Sequence, residues 1–138
     1  MAEKHVLVIE DSPDDFALTE MAFRKARMPH KMVVAWDGVE ALDYLFCRGK
    51  YTGRDPNGKP ALILLDLKLP RLDGFDVLKV IRSDKNTCSI PVVVLTSSTE
   101  EKDMAESLSL GAKGFTSKPT SFSQFVEVIQ QVSAKWLS

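Results

Sequence analysis

The chain is predicted to fold as an α/β domain with a doubly wound, five-stranded parallel sheet in the order 2-1-3-4-5. Three observations carry this. Short β-branched or apolar runs alternate five times with amphipathic stretches at helical spacing. The runs ALILL and VVVL are apolar without a break, as strands covered on both faces must be. The 138 residues fit one compact domain, and that strand count suits the 2-1-3-4-5 order.

The first run, His5 to Ile9, ends abruptly in Glu10-Asp11 and reads as a buried strand with two acids at its exit. Ser12 caps the next helix, with Pro13, Asp14 and Asp15 in its favoured first turn. Its expected buried stripe is Leu18, Ala22 and Ala26, helped by Met21. Phe16 and Phe23 lie to one side, either finishing the core edge or forming a docking face.

Lys31 to Trp36 reads as the second strand. A helix after Asp37-Gly38 turns Val39, Leu42, Leu45 and Phe46 inward. Gly49 to Pro60, rich in turn residues, is a surface loop. The central strand follows and ends at Asp66, then a loop from Leu67 to Asp73 carrying Pro70. Phe75, Val77, Leu78 and Ile81 are the apolar members of the third helix. The fourth strand ends at Thr96. The helix after Thr99 can bury only Met104, Ala105 and Leu108, with its charged residues in water, and Gly111 ends it in a left-handed cap. A strand from about Gly114 to Ser117 leads to Lys118-Pro119. The last helix repeats Phe122, Phe125, Ile129, Val132 and Trp136 on one face.

Composition narrows the function classes. Lys and Arg total 18 against 19 for Asp and Glu, so the chain offers no basic field for nucleic acid or an anionic membrane. No apolar stretch reaches the length of a membrane span. Met1 to Lys4 is polar and carries no secretory signal, so the expected location is the cytoplasm, with Cys47 and Cys88 as buried reduced thiols.

In the predicted order the first and third strands are neighbours where the winding reverses, which brings Glu10, Asp11 and Asp66 to one crevice. Their mutual repulsion raises at least one pKa unless a cation joins them, and a hard divalent ion with oxygen ligands, Mg²⁺, fits best. Asp11 and Asp66 are the expected ligands, with the longer Glu10 acting through a water. Thr96 and Lys118 end the fourth and fifth strands at the same edge. Singly, Thr96 could be a strand end, Lys118 a solvated lysine and Glu10-Asp11 part of a helix-entry acid cluster. Together they form a phosphoryl site, in which the ion and Lys118 neutralise charge, Thr96 donates a hydrogen bond and Asp66 is the nucleophile that forms an acyl phosphate.

With these residues placed, the whole chain resembles the response regulator receiver domains, the CheY-like family of the flavodoxin-like fold. The resemblance rests on Glu10-Asp11-Ser12, Leu64-Leu65-Asp66 with Pro70 and Asp73-Gly74, Val94-Leu95-Thr96, and Gly114-Phe115 followed by Lys118-Pro119. It implies that Asp66 takes its phosphoryl group from the phosphohistidine of a sensor histidine kinase, and the chain would then act on another protein, by relay to a histidine phosphotransfer protein or by direct contact. It also implies that the Lys68 backbone carbonyl joins the metal ligands and that the Lys118-Pro119 peptide is cis. Thr96 and Phe115 would form the switch, and the fourth helix, fifth strand and fifth helix would report it, by partner binding, relay or a homodimer through that face. Lys68 and Ser98 occupy positions that tune phosphoryl lifetime in the family. The Gly49 to Pro60 loop with the following KPALILLDLKLP is similar to the single-domain regulators serving bacterial phytochrome kinases.

Residues 1 to 138 are therefore expected to be one receiver domain without a fused output domain, a signalling protein rather than an enzyme. A dinucleotide or flavin domain would need a glycine- or hydroxyl-rich phosphate loop where EDSPDD stands. A haloacid dehalogenase-like phosphatase would want an acid where Lys68 stands. A receiver-like interaction module that works without phosphorylation would not need the intact acid, Thr and Lys set.

Overall fold

A computed structural model describes residues 5–137. The polar start at Met1 to Lys4 lies outside the described residues. The elements are β1 (His5–Ile9), α1 (Pro13–Lys25), β2 (Lys31–Ala35), α2 (Gly38–Leu45), β3 (Leu62–Leu65), α3 (Gly74–Ser83), β4 (Val92–Thr96), α4 (Glu101–Ser109), β5 (Gly114–Ser117) and α5 (Phe122–Trp136). All pairings are parallel and the order is β2-β1-β3-β4-β5. This is the predicted doubly wound topology.

Alternation along each strand divides the core in two. Leu7, Ile9, Ile63, Leu65, Val92 and Val94 face α2 and α3. Val6, Val8, Leu62, Leu64, Val93 and Leu95 face α1 and α5. Burying each such side chain stabilises by about 2 kcal/mol, whereas an exposed ion pair such as Lys102 with Glu100 contributes about 0.5 kcal/mol. The sheet interior therefore holds the fold, and the polar residues at its carboxyl edge are free to serve chemistry.

The cap of α1 was legible in the sequence, and three more helices start the same way. Ser12, Asp37, Asp73 and Ser121 each accept a hydrogen bond from the backbone N–H three residues on. Helix α4 differs, because Glu100 at its cap position gives no side-chain bond and its N–H donates instead to Ser98 Oγ at 3.2 Å.

Several expectations are corrected. In α1 the buried residues are Thr19, Ala22 and Phe23, while Leu18 and Met21 stay 42% and 47% exposed. Thr19 can turn inward because its hydroxyl donates to Asp15 O at 2.9 Å, leaving no orphaned donor. Phe23 is core, and Phe16 stands edge-on to Trp36 with ring centres 5.8 Å apart. In α2 the buried residues are Gly38, Ala41, Leu42, Tyr44 and Leu45, with Val39 and Phe46 half-buried. In α4 only Ser107 is buried; Met104 and Leu108 face outward. In α5, Phe125 and Ile129 are buried as expected, Val132 and Trp136 are half-buried and Phe122 is exposed.

Cys47 is half-buried and Cys88 exposed in the turn after α3, so neither is the enclosed thiol expected, although both are free. The described residues contain no cis peptide, so Lys118-Pro119 is trans, the lower-energy form, and the long Lys118 side chain reaches the sheet edge from it. Gly111 has φ +99°, as its cap role requires. No helix among the described residues is long and apolar enough to cross a membrane.

The loop after α2 is ordered against that helix. It contains a short 3₁₀ turn, Gly49–Tyr51. Arg54 donates to Tyr44 O at 3.0 Å and to Gly58 O at 2.6 Å, and its guanidinium lies 4.0 Å from the Tyr44 ring centre.

Candidate functional site

The parallel pairing of β1 with β3 sets Ile9 beside Leu65, so the residues that follow each strand emerge together. Asp66 N donates to Ile9 O at 3.1 Å, and Glu10 N donates to Ala35 O at 3.0 Å. These bonds fix the two acids at the carboxyl edge. Asp66 and Glu10 are buried at 6% and 3% exposure, whereas Asp11 faces solvent.

Lys118 closes the group from the far side of the sheet. Its Nζ lies 2.6 Å from Glu10 Oε1, 2.9 Å from Asp15 Oδ2 and 3.1 Å from Asp66 Oδ2. Thr96, completely buried, donates from Oγ1 to Asp66 Oδ1 at 3.0 Å, and Lys68 N donates to the same oxygen at 3.3 Å. Both oxygens of Asp66 are thus held in place.

Burial pushes the Glu10 carboxyl up to about 7; Lys118 opposes that rise, and the charge on Asp66 adds to it. Burial alone would lower the Lys118 ammonium, but the hydrogen bonds it donates to Glu10 and Asp15 and the nearby negative charges hold it well above the ordinary lysine range. The lysine is charged at neutral pH, and the three N–H bonds of its ammonium match the three acids beside it.

One oxygen each from Glu10, Asp11 and Asp66 lies within 4.8 Å of the others. This all-oxygen donor set fits a hard divalent cation. Beside it opens a cleft of about 500 Å³ lined by Asp11, Lys68, Pro70, Asp73 and Asp103 among others. Gly74 is needed against the backbone that carries Asp66, since a Cβ there would meet Asp66 O at 2.5 Å and Leu67 Cα at 2.6 Å.

The structure therefore brings together Glu10, Asp11, Asp66, Thr96 and Lys118, and the Lys68 backbone N–H, rather than the carbonyl expected at the metal, is the group bonded to Asp66. Phe115 stays apart from the acids. It lies opposite Val94 on β5, half-buried against the α3-side core. Sequence reasoning missed Asp15 as a partner of Lys118, having read it as a helix-entry acid. It also missed Asp103, which accepts a hydrogen bond from Ser98 Oγ at 2.6 Å.

Comparison with known proteins agrees with this geometry. Residues 6–130 match the response regulator receiver domain. Response regulator Rcp1 of Synechocystis sp. is 33% identical over 97% of this chain and 89% of its own length. The crystal structure of its Mn²⁺-bound form superposes with a TM-score of 0.87 at 32% identity, covering 98% of this chain and 95% of that one. The phosphorylated cyanobacterial phytochrome response regulator RcpA gives 0.89 at 37% identity over 99% and 96% of the two chains. The bacteriophytochrome response regulator AtBRR gives 0.80 at 45% identity over 96% and 94%. RcpA and AtBRR are regulators of the phytochrome-linked kind that the loop pattern led us to expect. On the strength of the match and of the edge geometry, the chain belongs to the response regulator receiver domain family, whose members are two-component signalling proteins.

Proposed function

We propose that Asp66 accepts a phosphoryl group from the phosphohistidine of a sensor histidine kinase, of the phytochrome type or through a histidine phosphotransfer protein, in a Mg²⁺-dependent reaction in the cytoplasm. The observation that carries this is the convergence of Lys118 and Thr96 on the two oxygens of Asp66, at 3.1 and 3.0 Å. An Asp66 oxygen attacks phosphorus and forms the P–O bond. The P–N bond to the histidine breaks, and its electron pair leaves with the imidazole. Lys118 and Thr96 meet the charge and oxygens of the incoming group.

Asp11, Asp66 and the Lys68 backbone carbonyl would hold Mg²⁺, with Glu10 acting through a water; the ion supplies charge neutralisation at the phosphoryl oxygens. The similarity to Mn²⁺-bound Rcp1 supports a divalent ion at this edge. The readout would pass through Thr96 and Phe115 to the α4-β5-α5 face. There Met104 and Leu108 are 41% and 47% exposed and available to a partner or a second copy of the chain.

Beryllofluoride, which binds a carboxylate as a phosphoryl stand-in, tests the reading. With Mg²⁺ it should change tryptophan fluorescence saturably in the wild type and leave Asp66→Asn unchanged. A module that works without phosphorylation would give the same trace for both.

A further inference from the structure

Asp103 takes no part in the acid cluster, yet a chain of hydrogen bonds ties it to Asp66. Ser98, only 6% exposed, donates from Oγ to Asp103 Oδ2 at 2.6 Å, a short bond of the charge-assisted kind. The same Oγ accepts from Glu100 N at 3.2 Å, so both faces of the hydroxyl are used and the Ser98 side chain has one orientation. Its backbone is fixed as well, since Ser98 O accepts from Ser117 Oγ at 2.9 Å. So held, Ser98 N donates to Thr96 Oγ1 at 3.3 Å. That oxygen then accepts from one side and keeps its own hydrogen for Asp66 Oδ1 at 3.0 Å.

On the other side Asp103 is built into α4. Its backbone O accepts from Ser107 Oγ at 2.7 Å, and Ser107 is the buried residue of that helix. Among the described residues no cationic side chain pairs with the Asp103 carboxylate, so the Ser98 hydroxyl is its main compensation. We infer that Asp103 is a positioning residue for phosphoryl transfer, acting through Ser98 to hold the Thr96 hydroxyl toward Asp66 and thereby docking the first turn of α4 on the site. The inference rests on the reading of Asp66 as phosphoacceptor. It adds that the reporting helix itself supplies part of the machinery.

The experiment compares wild type, Asp103→Ala, Asp103→Asn, Ser98→Ala and the double alanine variant in phosphorylation by acetyl phosphate with Mg²⁺. The maximal rate and the half-saturating concentrations of both reagents are read separately. Asp103→Ala should lower the maximal rate about tenfold, with half-saturation by Mg²⁺ unchanged. Ser98→Ala should match it, and the double variant should be no slower than either single one. Asp103→Asn, which keeps an acceptor for the Ser98 hydroxyl, should stay within about twofold of wild type. A wild-type rate in Asp103→Ala, strictly multiplicative losses, or an asparagine variant as slow as the alanine one would overturn the inference and leave the phosphoacceptor reading intact. The ¹³C shift of the Thr96 methyl reports the same geometry without any phosphorylation. It should move in Asp103→Ala and return in Asp103→Asn. If the wild type takes up no phosphate, the phosphoacceptor reading fails and this shift decides the positioning claim, an unmoved methyl refuting it.

Discussion

Lys118 Nζ stands 3.1 Å from Asp66 Oδ2 although the two residues are 52 positions apart. The same ammonium lies 2.6 Å from Glu10, so one cation ties the ends of β1, β3 and β5. In the absence of a metal it is what allows two buried acids to face one crevice.

Replacing Lys118 by Met should therefore leave Glu10 and Asp66 uncompensated. We expect a loss of about 1–3 kcal/mol in metal-free buffer. Mg²⁺ should restore most of it, because an ion bound only to the folded state stabilises by mass action. Urea unfolding with and without Mg²⁺ checks this, and equal midpoints for variant and wild type in metal-free buffer would contradict it.

Glu10 gives the pH dependence. Its folded pKa, about 7, lies above the ordinary 4.5 chiefly through burial, so between those values the folded state holds a proton that the unfolded state has released. Metal-free stability from this group should fall as pH rises from about 4.5 to 7. Glu10→Gln should flatten that slope. Because Mg²⁺ favours the ionised acids, its apparent affinity should weaken as pH drops below about 7. Isothermal titration across that range provides the reading, and a pH-independent affinity would speak against Glu10.

Gly74→Ala tests the close packing against the backbone that carries Asp66. The added Cβ would press on the backbone of Asp66 and Leu67, which cannot move aside as a flexible side chain could. We expect about 1–3 kcal/mol of destabilisation together with slowed phosphorylation. Thermal melting and intact mass of the same sample would show both.

Met104→Glu and Leu108→Glu separate output from folding. Both side chains are exposed, so stability should change by less than about 0.5 kcal/mol. Any association that tightens with beryllofluoride should weaken in these variants, as read by sedimentation. Unchanged association would move the output away from α4.

How far the sequence foretold this follows from what periodicity can and cannot encode. Unbroken runs such as VVVL, and acids placed where such runs stop, announce a covered parallel sheet and its carboxyl edge. Glu10, Asp11, Asp66, Thr96 and Lys118 could all be named in advance. Helix α1 could be phased only in part: Ala22 is buried as expected, but Leu18 and Met21 on one side of it and Phe23 on the other compete for the core, and a back-bonded Thr19 turns the helix toward Phe23. Asp15 looked like an ordinary first-turn acid, since its attraction to Lys118 depends on where β5 ends. The Ser98–Asp103 bond spans a turn whose geometry no spacing rule describes.

Asp66 as a magnesium-assisted phosphate carrier is tested most directly by intact mass spectrometry after incubation with acetyl phosphate. The wild type should gain one phosphoryl group with Mg²⁺ and none with EDTA, and Asp66→Asn should gain none under either condition. Equal uptake by wild type and Asp66→Asn, or uptake indifferent to EDTA, would contradict it.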